Sequence, residues 1–170
     1  MKSIFSFALI ASCLFLLTAC PVATTYPLGN KGEVKLDTKL LGVWTNESVD
    51  TEATGVSITK GEETNTYNVH VDEKGSMFMA DGEDFIGWLA LLNGKTFFVL
   101  QQVVDEVPTE TYYVYHIKLD NSTLTTNDIT LKVNGTDAVT SIASYQEEVI
   151  ASMGMDDFLA SEIQWKKKKK

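Results

Sequence analysis

The pair Asn93-Gly94, which separates two apolar runs, constrains the fold of this chain more than any other feature. Both residues tolerate the positive φ angles of a two-residue type I′ turn, so residues 85–104 are predicted to form a β-hairpin. The pairs that such a turn sets are Leu92 with Lys95, Ala90 with Phe97 and Trp88 with Val99. Both faces of the hairpin are apolar, so both must be buried. A barrel interior on one side and a packed helix on the other would bury them. The sequence does not say which face is which.

Apolar and polar residues alternate in other segments, which is typical of half-buried strands. The strands predicted outside the hairpin are residues 42–44, 57–60, 66–72, 76–80, 111–119, 123–133 and a short last one at 163–165. One helix is predicted near 144–153, with Ser144 and Glu147 as a capping box. This order predicts a mainly β fold, an antiparallel up-and-down barrel or strongly curled sheet of about 8–9 strands with one C-terminal helix.

The parity of the alternation predicts which side chains point into the barrel, because a one-residue slip would bury the polar set and expose the apolar one. The inward residues are predicted to be Trp44, Tyr67, Val69, Val71, Tyr113, Tyr115, Ile117 and Leu119. Apolar walls with a few polar groups are typical of small-ligand sites. Candidate ligand-binding residues are therefore Trp44, Tyr67, Val69, Tyr113, Tyr115 and Ile117. The alternative is a filled core in which the tyrosine hydroxyls find internal partners.

Gly42-Val43-Trp44, at the start of the first predicted strand, resembles the Gly-x-Trp motif of lipocalins. The resemblance implies a barrel whose closed end is plugged by Trp44, and the hairpin and late helix are similar to those of small bacterial lipocalin-like lipoproteins. Lipocalins usually pack a late arginine across that tryptophan, and this chain has no arginine. The alternative for Trp44 is an ordinary core position.

The first twenty residues have the layout of a signal peptide, with Lys2 followed by an apolar run that is too short to span a bilayer. The run ends in Leu17-Thr18-Ala19-Cys20, which resembles the lipobox of bacterial lipoproteins. The resemblance implies a diacylglycerol on the Cys20 thiol and cleavage before it. The alternative is an ordinary secretory signal with a chance cysteine. The expected divisions are a signal peptide (1–19), a lipidated N-terminus and tether (20–34), a barrel domain (35–165) and a lysine tail (166–170).

The residue that follows Cys20 indicates a cellular location, and the excess of acidic residues excludes one class of partner. Pro21, rather than an aspartate, follows the cysteine, and no acidic run comes after it, which by resemblance favours the outer membrane and its periplasmic face. Residues 21–165 carry eight lysines against all 23 acidic residues. A chain this acidic is not expected to bind nucleic acid, which requires a basic footprint. The lysine tail is either a solvated end or a weak contact with an anionic membrane.

No catalytic or metal-binding pattern is present in the sequence. His70 and His116, the two histidines, are predicted to lie on the wetter faces of their strands. The acidic stretch at 81–84 lacks the ligand spacing of a calcium loop and is predicted to be a solvated turn. Cys13 leaves with the signal peptide and Cys20 is used by the lipid, so no disulfide is expected. We therefore expect no metal, no cofactor and no enzymatic activity.

These features predict a lipid-anchored bacterial envelope lipoprotein that binds a small apolar ligand inside its barrel. The alternative is a structural or interaction protein of the envelope, with a filled barrel and no ligand. The sequence identifies neither the ligand nor a protein partner.

Cys20→Ser should abolish lipidation and move the protein from the membrane to the soluble fraction, or leave it as unprocessed precursor. Stable anchoring needs two or more acyl chains, so the loss should be evident on cell fractionation with immunoblotting. A mature Cys20→Ser protein that stays in the membrane would contradict the lipobox interpretation.

Overall fold

The computed structural model describes residues 23–46, 53–73 and 82–169. The signal segment, Cys20 and the strand predicted at 76–80 lie outside these residues. Within them the chain forms a closed barrel of eight antiparallel strands, one additional short strand and one α-helix. The strands are β1 (Ala23–Thr24), β2 (Gly42–Thr45), β3 (Ala53–Lys60), β4 (Tyr67–Glu73), β5 (Glu83–Leu92), β6 (Lys95–Val104), β7 (Val107–Asp120), β8 (Thr123–Ile129) and β9 (Leu159–Lys167). The helix α1 is Ile142–Ser152, and the 3₁₀ turns are Thr38–Leu40 and Thr136–Ala138.

Strands β2 to β9 follow one another around the barrel, each antiparallel to the next. The ring closes where β9 pairs with β2, through Trp44 opposite Lys167 and Thr45 opposite Lys166. Strand β1 pairs with Tyr112 and Tyr113 of β7, beyond the part of β7 that β8 covers. This up-and-down topology confirms the predicted fold class.

The two ends of the barrel differ in what lies across them. The closed end contains the connections β3–β4, β5–β6 and β7–β8 and is crossed by the 3₁₀ turn Thr38–Leu40. Leu40 belongs to the interior cluster, and its carbonyl accepts a hydrogen bond from the Trp44 indole. The far end contains the connections β2–β3, β4–β5, β6–β7 and β8–β9.

The hairpin β5–β6 has the predicted register and turn. Asn93 and Gly94 have φ angles of 48° and 72°, as a type I′ turn requires. The pairs are Leu92–Lys95, Ala90–Phe97 and Trp88–Val99, as predicted. The inward face contributes Phe85, Leu89, Phe98 and Leu100 to the interior cluster. The outward face contributes Trp88, Ala90, Phe97 and Val99 to a second cluster, together with Tyr145 and Val149 of α1.

All eight residues predicted to face inward belong to the interior cluster. Its largest members are aromatic, and Trp44, Tyr67, Phe98 and Trp165 fill the half of the barrel near the closed end. Tyr67 meets Phe98 edge to face, with ring centroids 5.4 Å apart. An eight-stranded barrel is just wide enough for such side chains to occupy its interior.

The closed end is held by the contact between Trp44 and Lys167. The Lys167 Nζ lies 5.0 Å from the centroid of a Trp44 ring and donates to the Lys39 carbonyl at 2.6 Å. The cation that packs over Trp44 is therefore a lysine of β9. Gly42 is required beside it, because its φ is 138° and an added Cβ would lie 2.8 Å from the Lys167 Cε.

The segment predicted as a tether is packed on the barrel from Ala23 onward, so that prediction is wrong for the described part. Leu28 is 1% exposed in the outer cluster. The Trp88 indole donates to the Gly29 carbonyl at 2.9 Å, and the Gln146 amide donates to the Leu28 carbonyl at 2.9 Å. The outer face of the hairpin needed an apolar cover, and this segment supplies part of it.

Helix α1 begins earlier than predicted, because Ser141 and not Ser144 is the N-cap. The Ser141 Oγ accepts from the Ser144 amide at 3.1 Å, and the Ser144 Oγ accepts from the Ser141 amide at 3.0 Å. Ser144 therefore fills the third position of the capping box in place of a glutamate. The last strand is also longer than predicted and includes Lys166 and Lys167 of the lysine tail.

Glu148 of α1 fixes the loop that follows β8. It is 3% exposed, and one carboxylate oxygen accepts from the amides of Val133, Asn134 and Gly135 at 3.0, 2.8 and 3.3 Å. The other oxygen accepts from the Asn134 side chain at 2.9 Å. Burial alone would raise the pKa of Glu148, but these hydrogen bonds outweigh it, so the pKa lies below its ordinary value.

Glu148→Ala should lower the free energy of unfolding by about 3 kcal/mol, since three backbone donors lose a charged acceptor. The lowered folded pKa means that the contribution of Glu148 is present above the unfolded pKa of about 4.3 and is lost as the pH falls through the folded value. Urea denaturation at pH 7 and at pH 3 measures both effects. The exposed neighbour is the control: Glu147→Ala should change stability little. Equal stability of the two variants at pH 7 would contradict this role.

Candidate functional site

The six candidate ligand-binding residues fall into two groups along the barrel axis. Trp44 and Tyr67 are 0% exposed, and Val69 and Ile117 are also buried. Tyr113 and Tyr115 are only partly buried, although they lie on the same inward face. One apolar face is therefore sealed near the closed end and partly accessible toward the far end.

The polar atoms of Tyr67 and Trp44 form hydrogen bonds with the segment that crosses the closed end. The Tyr67 hydroxyl accepts from the Asp37 amide at 2.8 Å and donates to the Asp37 carbonyl at 3.3 Å. Burial raises the pKa of Tyr67 to about 12, against a lowering by the Asp37 backbone hydrogen bond. The Trp44 indole donates to the Leu40 carbonyl at 2.8 Å. These polar atoms hold the segment in place and are not directed at a ligand.

The far half of the interior has apolar walls and tyrosine rings. Val56, Val71 and Ile163 are partly buried members of the interior cluster, and Tyr113 meets Phe85 edge to face at 5.9 Å. We call the partly buried residues Val56, Val71, Tyr113, Tyr115 and Ile163 the mouth. Of the predicted site residues, the structure brings Tyr113 and Tyr115 together here and places the other four deeper in the core.

Two carboxylates border the mouth. Glu83 pairs with Val71 by register, and after burial its charge is the second cause that raises the pKa of Tyr113. Asp128 stands opposite Tyr115 in the register of β7 and β8. Burial raises the pKa of Asp128, while a hydrogen bond from Ser161 lowers it in part. The mouth thus combines apolar contact area with a small number of polar groups.

Sequence reasoning missed both carboxylates for identifiable reasons. Glu83 shares the parity of Phe85, but it was read as part of the solvated turn at 81–84. Asp128 lies on the inner face by simple alternation with Leu124, opposite Tyr115. The sequence pattern of this strand is dominated by Ile129, Leu131 and Val133 of the opposite parity, so it did not indicate an inward carboxylate.

The two histidines have different environments. His70 is partly exposed, as predicted, and its Nδ1 lies 2.7 Å from Asp84 and its Nε2 3.5 Å from Asp72. His116 was predicted to be exposed, and this is wrong: it is 2% exposed and its ring lies edge to face with Phe97 at 5.7 Å. The outer face of β7 is covered there by the second cluster. Burial lowers the pKa of His116; a hydrogen bond with Asn127 opposes this, and the charges of Lys95 and Lys118 add to it.

No group of three or more metal-ligating side chains occurs in the described ranges. Among those residues, no helix is long and apolar enough to cross a membrane. Comparison of the chain with protein-family models, with curated proteins and with solved structures yields no match. The functional interpretation therefore depends on the geometry and on the sequence motifs.

The substitutions Tyr67→Phe and Tyr113→Phe distinguish a hydroxyl that has an internal hydrogen-bond partner from one that water can reach. Tyr67→Phe should cost about 1 kcal/mol or more, because the Asp37 amide loses its acceptor. Tyr113→Phe should change the free energy of unfolding by less than about 0.5 kcal/mol, because water can satisfy a hydroxyl at the mouth. Chemical denaturation of the two variants beside the wild type tests this difference. A Tyr113→Phe cost as large as that of Tyr67→Phe would indicate a filled core at both ends.

Proposed function

We propose that this protein is a lipid-anchored envelope lipoprotein that binds a small apolar ligand at the mouth of its barrel. The observation that carries the proposal is the change in burial along one inward apolar face, from fully buried at Trp44 to partly exposed at Tyr113. Partly exposed apolar side chains inside a barrel lose contact with water when an apolar ligand enters, which favours binding.

The ligand would lie against Val56, Val71 and Ile163, above Phe85 and Leu100. The Tyr113 hydroxyl would orient a polar group of the ligand, and the Tyr115 ring would add apolar contact. Trp44, Tyr67, Val69 and Ile117 would support the site from below without touching the ligand. No catalytic step is part of this proposal, and no metal or cofactor is needed for it.

The lipid anchor on Cys20 would hold the domain close to its membrane. Three residues span at most about 11 Å, and Ala23 is already hydrogen-bonded to β7. By its resemblance to lipobox proteins, the location we propose is the outer membrane on its periplasmic face.

A second function is favoured by the packing near the closed end. Trp44, Tyr67, Phe98 and Trp165 fill that half with large side chains, and the Trp165 indole donates to the Thr126 hydroxyl at 3.0 Å. A barrel filled in this way to both ends would serve as a rigid envelope scaffold that meets a protein partner through its outer surface. The experiment below separates the two functions.

Val71→Phe should abolish the binding of an apolar probe by filling the mouth. Binding of N-phenyl-1-naphthylamine by fluorescence, and native mass spectrometry of protein purified from its own host, measure occupancy. The matched control is Asn68→Phe, since Asn68 is exposed on the opposite face of the same strand. We expect at least a tenfold loss of probe affinity for Val71→Phe and none for Asn68→Phe. No probe binding by the wild type, or equal binding by both variants, would favour the scaffold function.

A further inference from the structure

The described lysines are concentrated at the closed end of the barrel. Of the eleven described lysines, all but Lys132 lie in strand ends at the closed end or in the segment that crosses it. They are Lys31, Lys35, Lys39, Lys60, Lys95, Lys118 and Lys166 to Lys169. The acidic residues in the same region are fewer: Glu33, Asp37, Glu62, Glu63 and Asp120. A protein with a net charge of −9 thus has one positively charged end.

Several of these lysines have structural roles. Lys167 packs over Trp44, Lys31 lies 3.1 Å from Glu63, and Lys166 donates to the Thr123 hydroxyl at 2.9 Å. Lys95 and Lys118 differ, because neither forms an ion pair with any of the described residues. Their charges reach the buried His116 and disfavour its protonation. Among the described residues they have no acidic partner, so an external anion would supply one.

A cleft of about 550 Å³ lies between these two lysines. It is lined by Lys95, Lys118 and Asp37 and by four leucine or isoleucine side chains, of which Leu40, Leu89 and Ile117 are buried and Leu119 is half-buried. His116 forms part of the wall, and its Nδ1 is buried without a hydrogen-bond partner. Two neighbouring cations at a cleft match the anionic phosphate of a phospholipid headgroup.

We propose that the closed end is a docking surface for an anionic bilayer, with a lipid phosphate seated between Lys95 and Lys118. The proposal rests on the envelope location proposed above and adds the orientation of the barrel at the membrane. Strand β1 agrees with it. Because β1 is antiparallel to β7, its first residue, Ala23, is nearer the closed end than Thr24 is. The mouth then faces away from the bilayer surface.

The experiment measures binding of delipidated protein to vesicles of phosphatidylglycerol and phosphatidylcholine, and to phosphatidylcholine alone, at low ionic strength. A basic residue near an anionic surface contributes about 1 kcal/mol, or about fivefold in affinity. Lys95→Gln and Lys118→Gln should each weaken binding to the anionic vesicles about fivefold, and the double variant about 25-fold. The control Lys132→Gln, at the far end, should leave binding unchanged. Lys167 is unsuitable because its loss would disturb the closed end.

Several results would overturn the proposal. Equal losses for Lys132→Gln and Lys118→Gln would mean that net charge, and not the closed end, governs binding. Equal binding to neutral vesicles, or loss only on deletion of residues 168–170, would exclude the cleft. Vesicle binding by the delipidated protein does not depend on the Cys20 anchor or on the apolar ligand. A negative result here therefore leaves the proposed function intact. Loss of lipidation in cells would likewise leave this docking surface intact.

The two histidines report where the phosphate binds. Glycerol 1-phosphate should shift the ring proton resonances of His116 in NMR spectra and leave those of His70, on the outer face of β4 beside Asp84, unchanged. Equal shifts at both residues would contradict a specific cleft. Saturation of the cleft by inorganic phosphate, together with no binding to anionic vesicles, would show that the site takes free phosphate and would overturn the membrane surface.

Discussion

The structure depends on the closure of its sheet between β2 and β9. Closure leaves no long free edge, which matters for a chain whose strands carry apolar residues on both faces in the hairpin. The pairing itself is short, and side chains reinforce it: Lys167 covers Trp44 and binds the Lys39 carbonyl, while the Trp44 indole binds the Leu40 carbonyl. The same contact therefore joins the two strands and holds the segment across the closed end. Loss of this contact would expose the aromatic interior to water at one end.

The hairpin β5–β6 also requires that its outward apolar face be covered. Its outward face carries Trp88, Phe97 and Val99, which are almost fully buried although they lie outside the barrel. Helix α1 and the segment around Leu28 cover this face, and Glu148 holds the loop after β8 in the position from which the helix starts. The helix is thus needed by the packing of the sheet, and its own capping is a secondary contribution.

Much of the fold could be predicted from the sequence. The alternation of apolar and polar residues determines which side chains of a strand face inward, and Asn93-Gly94 determines the register of the hairpin. The interior set from Trp44 to Leu119 and the hairpin pairs follow from these two rules alone. The rest depended on contacts between distant segments. His116 has the parity of a solvated residue, and only the tertiary cover over β7 buries it. The packing of Leu28 and the role of Glu148 have no local signal, since their partners are Trp88, Gln146 and loop amides far away in the chain. For the site, the sequence indicated the face but not the change in burial along it.

The docking of β1 has a consequence for how far this protein extends. If Cys20 carries the lipid that we propose, the domain begins three residues from it, and the barrel itself would set the height of the domain above the bilayer. Strand β7, the longest, has 14 residues and is about 46 Å long, which at a tilt of about 40° corresponds to about 35 Å along the barrel axis. A partner fixed to a distant layer of the envelope, such as the cell wall, would meet this domain only within that distance. On that proposal, the protein would act only in a thin layer along the membrane surface.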